Sequence, residues 1–185
     1  MTAEFAQSGG GALHLPLPLP GKPTPFFLAD GEGERTHLFD SLITVLLSKD
    51  ETAGQFGIFT LAAPKGDAIP THSHADVHET FYILSGRARV WIQDPDGEQY
   101  EKLMKPGDFG YVPAGCLHTF RVEADDTKIM GVSSAGFERF FGTAGTRTDS
   151  LELPHPPYIP SHEQLGRAAG EYRQEFRFDL RPLDG

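Results

Sequence analysis

The dominant periodicity along the chain is two residues, not 3.6. From Glu79 onward, runs of alternating apolar and polar positions are separated by turn signals: "ETFYILSG", "RARVWIQ", "EQYEKLM", "FGYVPAG", "HTFRVEA" and "TKIMGVSS". Successive side chains on a strand point to opposite faces, so these runs predict half-buried β-strands. Between them, "DPDG" (Asp94 to Gly97) and "KPGD" (Lys105 to Asp108) place proline second, which favours tight turns. Short strands at regular spacing predict a meander that closes as a sandwich or barrel. Upstream, "THLFDSLITVLLSKDETAGQFGIFTLAAPKG" holds two apolar stretches around the polar "SKDETAGQ". Its β-branched residues and missing helical period favour an antiparallel strand pair over a helix.

The pattern changes at both ends. The first 24 residues are broken by glycine and then by "LPLPLPGKPTP", which blocks helix and ladder alike and predicts an extended arm. After the last strand, "SSAGFERFFGTAG" reads as a short helix whose Phe137, Phe140 and Phe141 share a face. A proline-rich loop follows, then a helix from Ser161 with Gln164 placed to complete a capping box. With no internal repeat and no second core, the expected layout is an arm over 1–24, one all-β barrel over 25–134, and short helices with a tail over 135–185.

Composition narrows the function classes. At 185 residues the chain is the size of one domain, and 21 glycines with 15 prolines suit a fold made of many turns. The net charge is −10 and the arginines and lysines are scattered, which excludes a phosphate-tracking surface and a nucleic-acid partner. The single cysteine, Cys116, cannot form an intrachain disulfide and fits a reducing compartment. It reads as a small buried residue, since no spare base is near it to make it a nucleophile. The N-terminus lacks a basic segment followed by an apolar core, and no run reaches membrane-span length, so a cytoplasmic protein without a membrane partner is expected.

The candidate chemistry lies just ahead of the apolar "TFYILSG". His72 and His74 are two apart and share a strand face, Glu79 opens the next strand, and His118 follows "PGDFGYVPAGCL". Three imidazoles and a carboxylate suit nickel, cobalt, manganese, iron or zinc, and the lack of thiolates disfavours copper(I) and iron–sulfur chemistry. His78 neighbours Glu79 and is expected on the opposite face, solvated or supporting. His14, His37, His155 and His162 have no ligand spacing.

These residues closely resemble the cupin family. Its first motif runs Gly, five residues, His-x-His, three or four residues, Glu, six residues, Gly, matched here by Gly66, His72, His74, Glu79 and Gly86. Its second runs Gly, five residues, Pro-x-Gly, two residues, His, three residues, Asn; Gly107, Pro113, Gly115 and His118 match, with Val122 in the Asn position. The resemblance implies a jelly-roll β-barrel whose interior is the site, which explains why titratable side chains precede a core strand. The layout further resembles the bacterial monocupin quercetinases, which are flavonol dioxygenases. That likeness implies His72, His74, Glu79 and His118 as ligands of one divalent metal per chain, nickel first and cobalt, manganese or iron next. It also implies Glu79 as the base, a flavonol and O2 as substrates, release of carbon monoxide, and a homodimer.

Alternation from Glu79 places Phe81 and Ile83 inward, and from His118 places Phe120 inward. With Phe56, Phe59 and Phe137 these are the candidate walls of a slot for a flat aromatic substrate. Two other functions remain open: a metal-dependent isomerase or epimerase of a small polar metabolite, and a non-catalytic metal-containing binding protein. The absence of asparagine from the chain disfavours a hydroxyl-rich sugar ligand.

Overall fold

The structure is a computed structural model that describes residues 19–183. Its framework is two antiparallel sheets facing each other as a jelly-roll barrel. The strands are β1 (Glu34–Leu38), β2 (Ser41–Leu47), β3 (Phe56–Ala63), β4 (His72–His74), β5 (Glu79–Ser85), β6 (Ala88–Gln93), β7 (Gln99–Met104), β8 (Phe109–Val112), β9 (Leu117–Val122), β10 (Thr127–Ser134), β11 (Thr146–Arg147) and β12 (Gln174–Phe176). One sheet has the order β11-β1-β2-β3-β10-β5-β8 and the other β12-β4-β9-β6-β7.

The stretch around Leu42 to Leu47 is strand, and β2 pairs antiparallel with β3 as its β-branched residues indicate. The expected turns form, with Gly97 N–H donating to Asp94 O at 3.0 Å and Asp108 N–H to Lys105 O at 2.9 Å. The expected meander does not. Only β6 and β7 pair as sequence neighbours after Glu79, while β5, β8 and β10 lie in one sheet and β9 in the other. Strands β3, β5, β6, β9 and β10 bury apolar side chains, and alternating between sheets lets them face each other across the core. Ile43, Phe59, Phe81, Ile83, Val90, Phe120 and Ile129 meet there, all buried. Each contributes about 1.5–3 kcal/mol by leaving water.

The segment after 134 does more than pack on the barrel. A 3₁₀ turn (Phe137–Arg139) runs into α1 (Phe140–Ala144), bringing Phe137, Phe140 and Phe141 into the core cluster. Strand β11 precedes helix α2 (His162–Glu171) and β12 follows it, and the two strands extend the edges of the two sheets. At the N-terminus of α2, Ser161 Oγ accepts from Gln164 N–H at 3.1 Å, which is half of the expected capping box. The Gln164 side chain does not turn back; its amide nitrogen donates to Thr143 O and Gly145 O, tying α2 to the end of α1. Of the expected arm, residues 1–18, with His14, lie outside the described residues; Leu19 is buried in the core and Gly21 N–H donates to Glu51. No helix among the described residues is long and apolar enough to cross a membrane.

Candidate metal centre

Two sheets contribute to one cluster. His72 and His74 share the inward face of β4, and His118 lies opposite His72 across the β4–β9 ladder. Glu79 reaches in from β5 of the other sheet. All four are buried, and one ligand atom from each lies within 4.8 Å of the others. Glu79 Oε2 is 3.2 Å from His118 Nε2 and 3.5 Å from His74 Nε2.

Local hydrogen bonds set the tautomers of two of the rings. His72 Nδ1 donates to Pro70 O at 2.9 Å, and His118 Nδ1 to Cys116 O at 3.2 Å. A carbonyl can only accept, so the proton sits on Nδ1 and the neutral ring turns an Nε2 lone pair inward. His74, 1% exposed, has no hydrogen-bond partner for either ring nitrogen among the described residues. Lone pairs converging on a carboxylate oxygen, with an orphaned imidazole beside them, repel one another unless a cation lies between them. The residues therefore fit a divalent metal, with four N and O donors and no thiolate.

The electrostatics agree. Burial alone would raise the Glu79 carboxyl, but the closeness of the His118 and His74 rings outweighs it and holds the group well below the usual carboxylate range. Burial, reinforced by the neighbouring rings, pushes His72 well below the ordinary imidazole value and so keeps it neutral. Both are the states a metal ligand needs.

A cavity of about 70 Å3 opens beside His72 and Glu79, lined mainly by apolar side chains. Phe59, Phe81, Phe120 and Phe137 are among its walls. Phe137 also packs on His74, with ring centroids 4.2 Å apart. Phe56 and Ile83 are not. Phe56 opens β3 on the outer face and is 37% exposed, while Ile83, one repeat beyond Phe81, is sealed inside the core away from the opening. His78 is exposed and its Nδ1 lies 2.8 Å from Tyr111 Oη, outside the cluster. Cys116 is buried, and burial raises its thiol, so it is inert. His37, His155 and His162 stand apart from the centre.

The sequence reading missed several lining residues. Gln174 and Phe176 come from β12, whose three residues lie opposite His74, Ser73 and His72. Asp67 and Ser41, joined by a 2.6 Å hydrogen bond, add a polar patch. Asp67 lies inside the first motif at an odd spacing from His72, so alternation does not flag it, and nothing local marks β12.

Comparison with known proteins converges on the same barrel. Residues 59–132 match the cupin domain family. The chain is 37% identical over 140 residues to a quercetin 2,3-dioxygenase of Bacillus subtilis, covering 75% of this chain and 40% of that protein. It is 33% identical over 118 residues to a quercetin 2,3-dioxygenase of Aspergillus japonicus, covering 62% of this chain and 33% of that one. The chain thus spans two-fifths or less of the length of these relatives. Among solved structures, KdgF from Halomonas sp. superposes with a TM-score of 0.52 at 16% identity, covering 60% of this chain and 94% of that chain, which is a likeness of fold.

Proposed function

Because the chain belongs to the cupin family and buries a three-histidine, one-glutamate cluster beneath an aromatic-walled cavity, we propose that it is a metal-dependent dioxygenase that opens the heterocycle of a flavonol. The observation that carries this reading is the junction of the two features: Glu79 and His72 are at once members of the cluster and part of the cavity wall. A substrate hydroxyl entering the cavity meets them directly. The identities to two quercetin 2,3-dioxygenases support the reaction class.

A divalent cation held by His72, His74, Glu79 and His118 would favour the ionised form of the substrate hydroxyl. Glu79, ionised in its surroundings, accepts the proton from that hydroxyl. The Pro70 and Cys116 carbonyls keep the His72 and His118 rings aimed inward while charge builds up. Phe81, Phe120 and Phe137 hold the flat ring system and exclude water from the electron-rich anion. In the overall balance both oxygens of O2 enter the depside product and one ring carbon leaves as carbon monoxide. The cavity holds only about five waters' worth of space, so a three-ring substrate requires its walls to move apart.

The test is loss of the near-visible absorbance of quercetin in air by protein loaded separately with nickel, cobalt, manganese, iron and zinc. Metal-dependent bleaching with carbon monoxide in the headspace is the expected result, with nickel the first metal to try. No bleaching by fully loaded protein would remove the flavonol reading and bring the isomerase and binding alternatives forward. We also propose a homodimer in a cytoplasmic setting. Tyr82, Leu84, Phe109 and Tyr111 form an exposed apolar strip on the outer face of the larger sheet, supporting self-association. A monomer mass by gel filtration would overturn it.

A further inference from the structure

Gln174 is 7% exposed, and its Oε1 has no hydrogen-bond partner among the described residues. Such an orphan costs stability, because a buried acceptor has lost its water without gaining a protein donor. The orphan is also well placed. Gln174 sits opposite His74 in the β12–β4 ladder, so its side chain shares the inward face of the metal-ligand strand, and it lines the same cavity as His72 and Glu79. Most of that wall is hydrocarbon.

We infer that Gln174 is a substrate-binding residue, whose amide oxygen accepts a hydrogen bond from a hydroxyl of the aromatic substrate next to the metal-binding hydroxyl. The inference rests on the reading of this cavity as the substrate site, and it deepens that reading by naming the ligand class: a flat aromatic with at least two hydroxyl groups, one ionised at the metal centre and one donating to Gln174. An apolar slot fixes the plane of a ring system but not its rotation within the plane. A single acceptor beside the metal fixes the rotation. Leaving that acceptor unpaired also rejects analogues without the hydroxyl more strongly than an apolar wall could. Phe176, two residues on in β12, has its ring 6.0 Å from that of His72, so the same short strand supplies both an apolar and a polar contact.

The test compares wild type with Gln174→Leu and Gln174→Glu, all loaded with metal, using two readouts. Thermal denaturation without ligand needs no assumption about the substrate. Gln174→Leu is expected to melt at or above wild type, since it removes an unpaired buried polar group. Anaerobic fluorescence titration with quercetin reads binding without turnover. Gln174→Leu is expected to weaken it roughly tenfold or more, and Gln174→Glu, which keeps an acceptor, to retain binding nearer to wild type. A lower melting point for Gln174→Leu would mean that the side chain does structural work, and would overturn the inference. So would a higher melting point with unchanged quercetin affinity. If loaded wild type binds no quercetin, the flavonol reading fails by itself. The comparison is then read with catechol, and a wild-type to Gln174→Leu affinity ratio near one for catechol overturns the role of Gln174.

Discussion

Gly86 closes the first motif and joins β5 to β6, and its substitution separates two costs that usually occur together. Its φ is +68°, and a Cβ built there would lie 2.2 Å from Thr127 Oγ1 and 2.5 Å from the Thr127 Cα. The second contact is with backbone, which cannot swing away. Thr127 is itself fixed, since its Oγ1 accepts from Arg87 N–H at 3.1 Å and donates to Ala124 O at 2.6 Å. Gly66, at the start of the same motif, has a φ of +94°, but a Cβ there would meet nothing within 4 Å. Alanine at Gly66 therefore meets only the left-handed backbone penalty, about 1–2 kcal/mol. Alanine at Gly86 adds the steric cost of overpacking, about 1–3 kcal/mol more. The gain from a stiffer unfolded chain is common to both variants and cancels in the comparison. At about 2–4 °C per kcal/mol for a domain of this size, Gly86→Ala should melt at least about 2 °C below Gly66→Ala. Differential scanning calorimetry on metal-free protein measures this without interference from the ion. Metal content at 25 °C should stay at the wild-type level in Gly86→Ala, because Glu79 is at the far end of β5. Equal melting points for the two variants would refute the close-approach argument.

Two further outcomes follow from the metal centre. Glu79→Gln should lower flavonol turnover by about a hundredfold or more, as for loss of a general base, whereas His78→Ala, at an exposed position whose ring bonds to Tyr111, should leave it within about twofold. Equal, mild effects in steady-state assays would count against Glu79 as the base. Chelation should lower the melting temperature and metal reloading restore it, because a cation relieves the repulsion among the ring nitrogens and Glu79. A melting point indifferent to EDTA would show that the cluster is stable without an ion.

The metal cluster was legible in the sequence because two short motifs set it almost entirely. Strand alternation turns a His-x-His pair to one face, and the glycine-proline turns deliver His118 opposite His72. The Phe81 and Phe120 walls follow from the same alternation, whereas Phe59 and Phe137 are candidates only as further aromatics. Where the reading went wrong, the missing information was non-local. Periodicity identifies strands but not their partners, so the meander was as compatible with it as the observed crossing between sheets. Phe56 and Phe59 differ only in the phase of β3, and phase is set by pairing with β10 and β2. Strand β12 is three residues in a charged segment, and its partner is 100 residues upstream (174 − 74), so no local pattern could announce Gln174.

The same contrast between local and distant control distinguishes the three histidines. His72 and His118 each donate to the carbonyl two residues earlier, so their orientation is built into their own turns. His74 has no such bond. Its ring is held by packing, most closely by Phe137 from beyond the last barrel strand, with centroids 4.2 Å apart against 4.9 Å to His72 and 5.3 Å to His118. The C-terminal segment thus sets the geometry of one ligand. Phe137→Leu should therefore lower metal affinity by about tenfold, the low end of what is lost when the support around a ligand is removed. Phe120→Leu removes a comparable buried ring from the same cavity without touching His74 and serves as the control. Both variants should lose stability by similar amounts in urea denaturation, while only Phe137→Leu weakens cobalt binding in a spectroscopic titration. Equal affinities in the two would mean that the barrel alone orients His74, and that the Phe137 contact is packing without consequence for the metal.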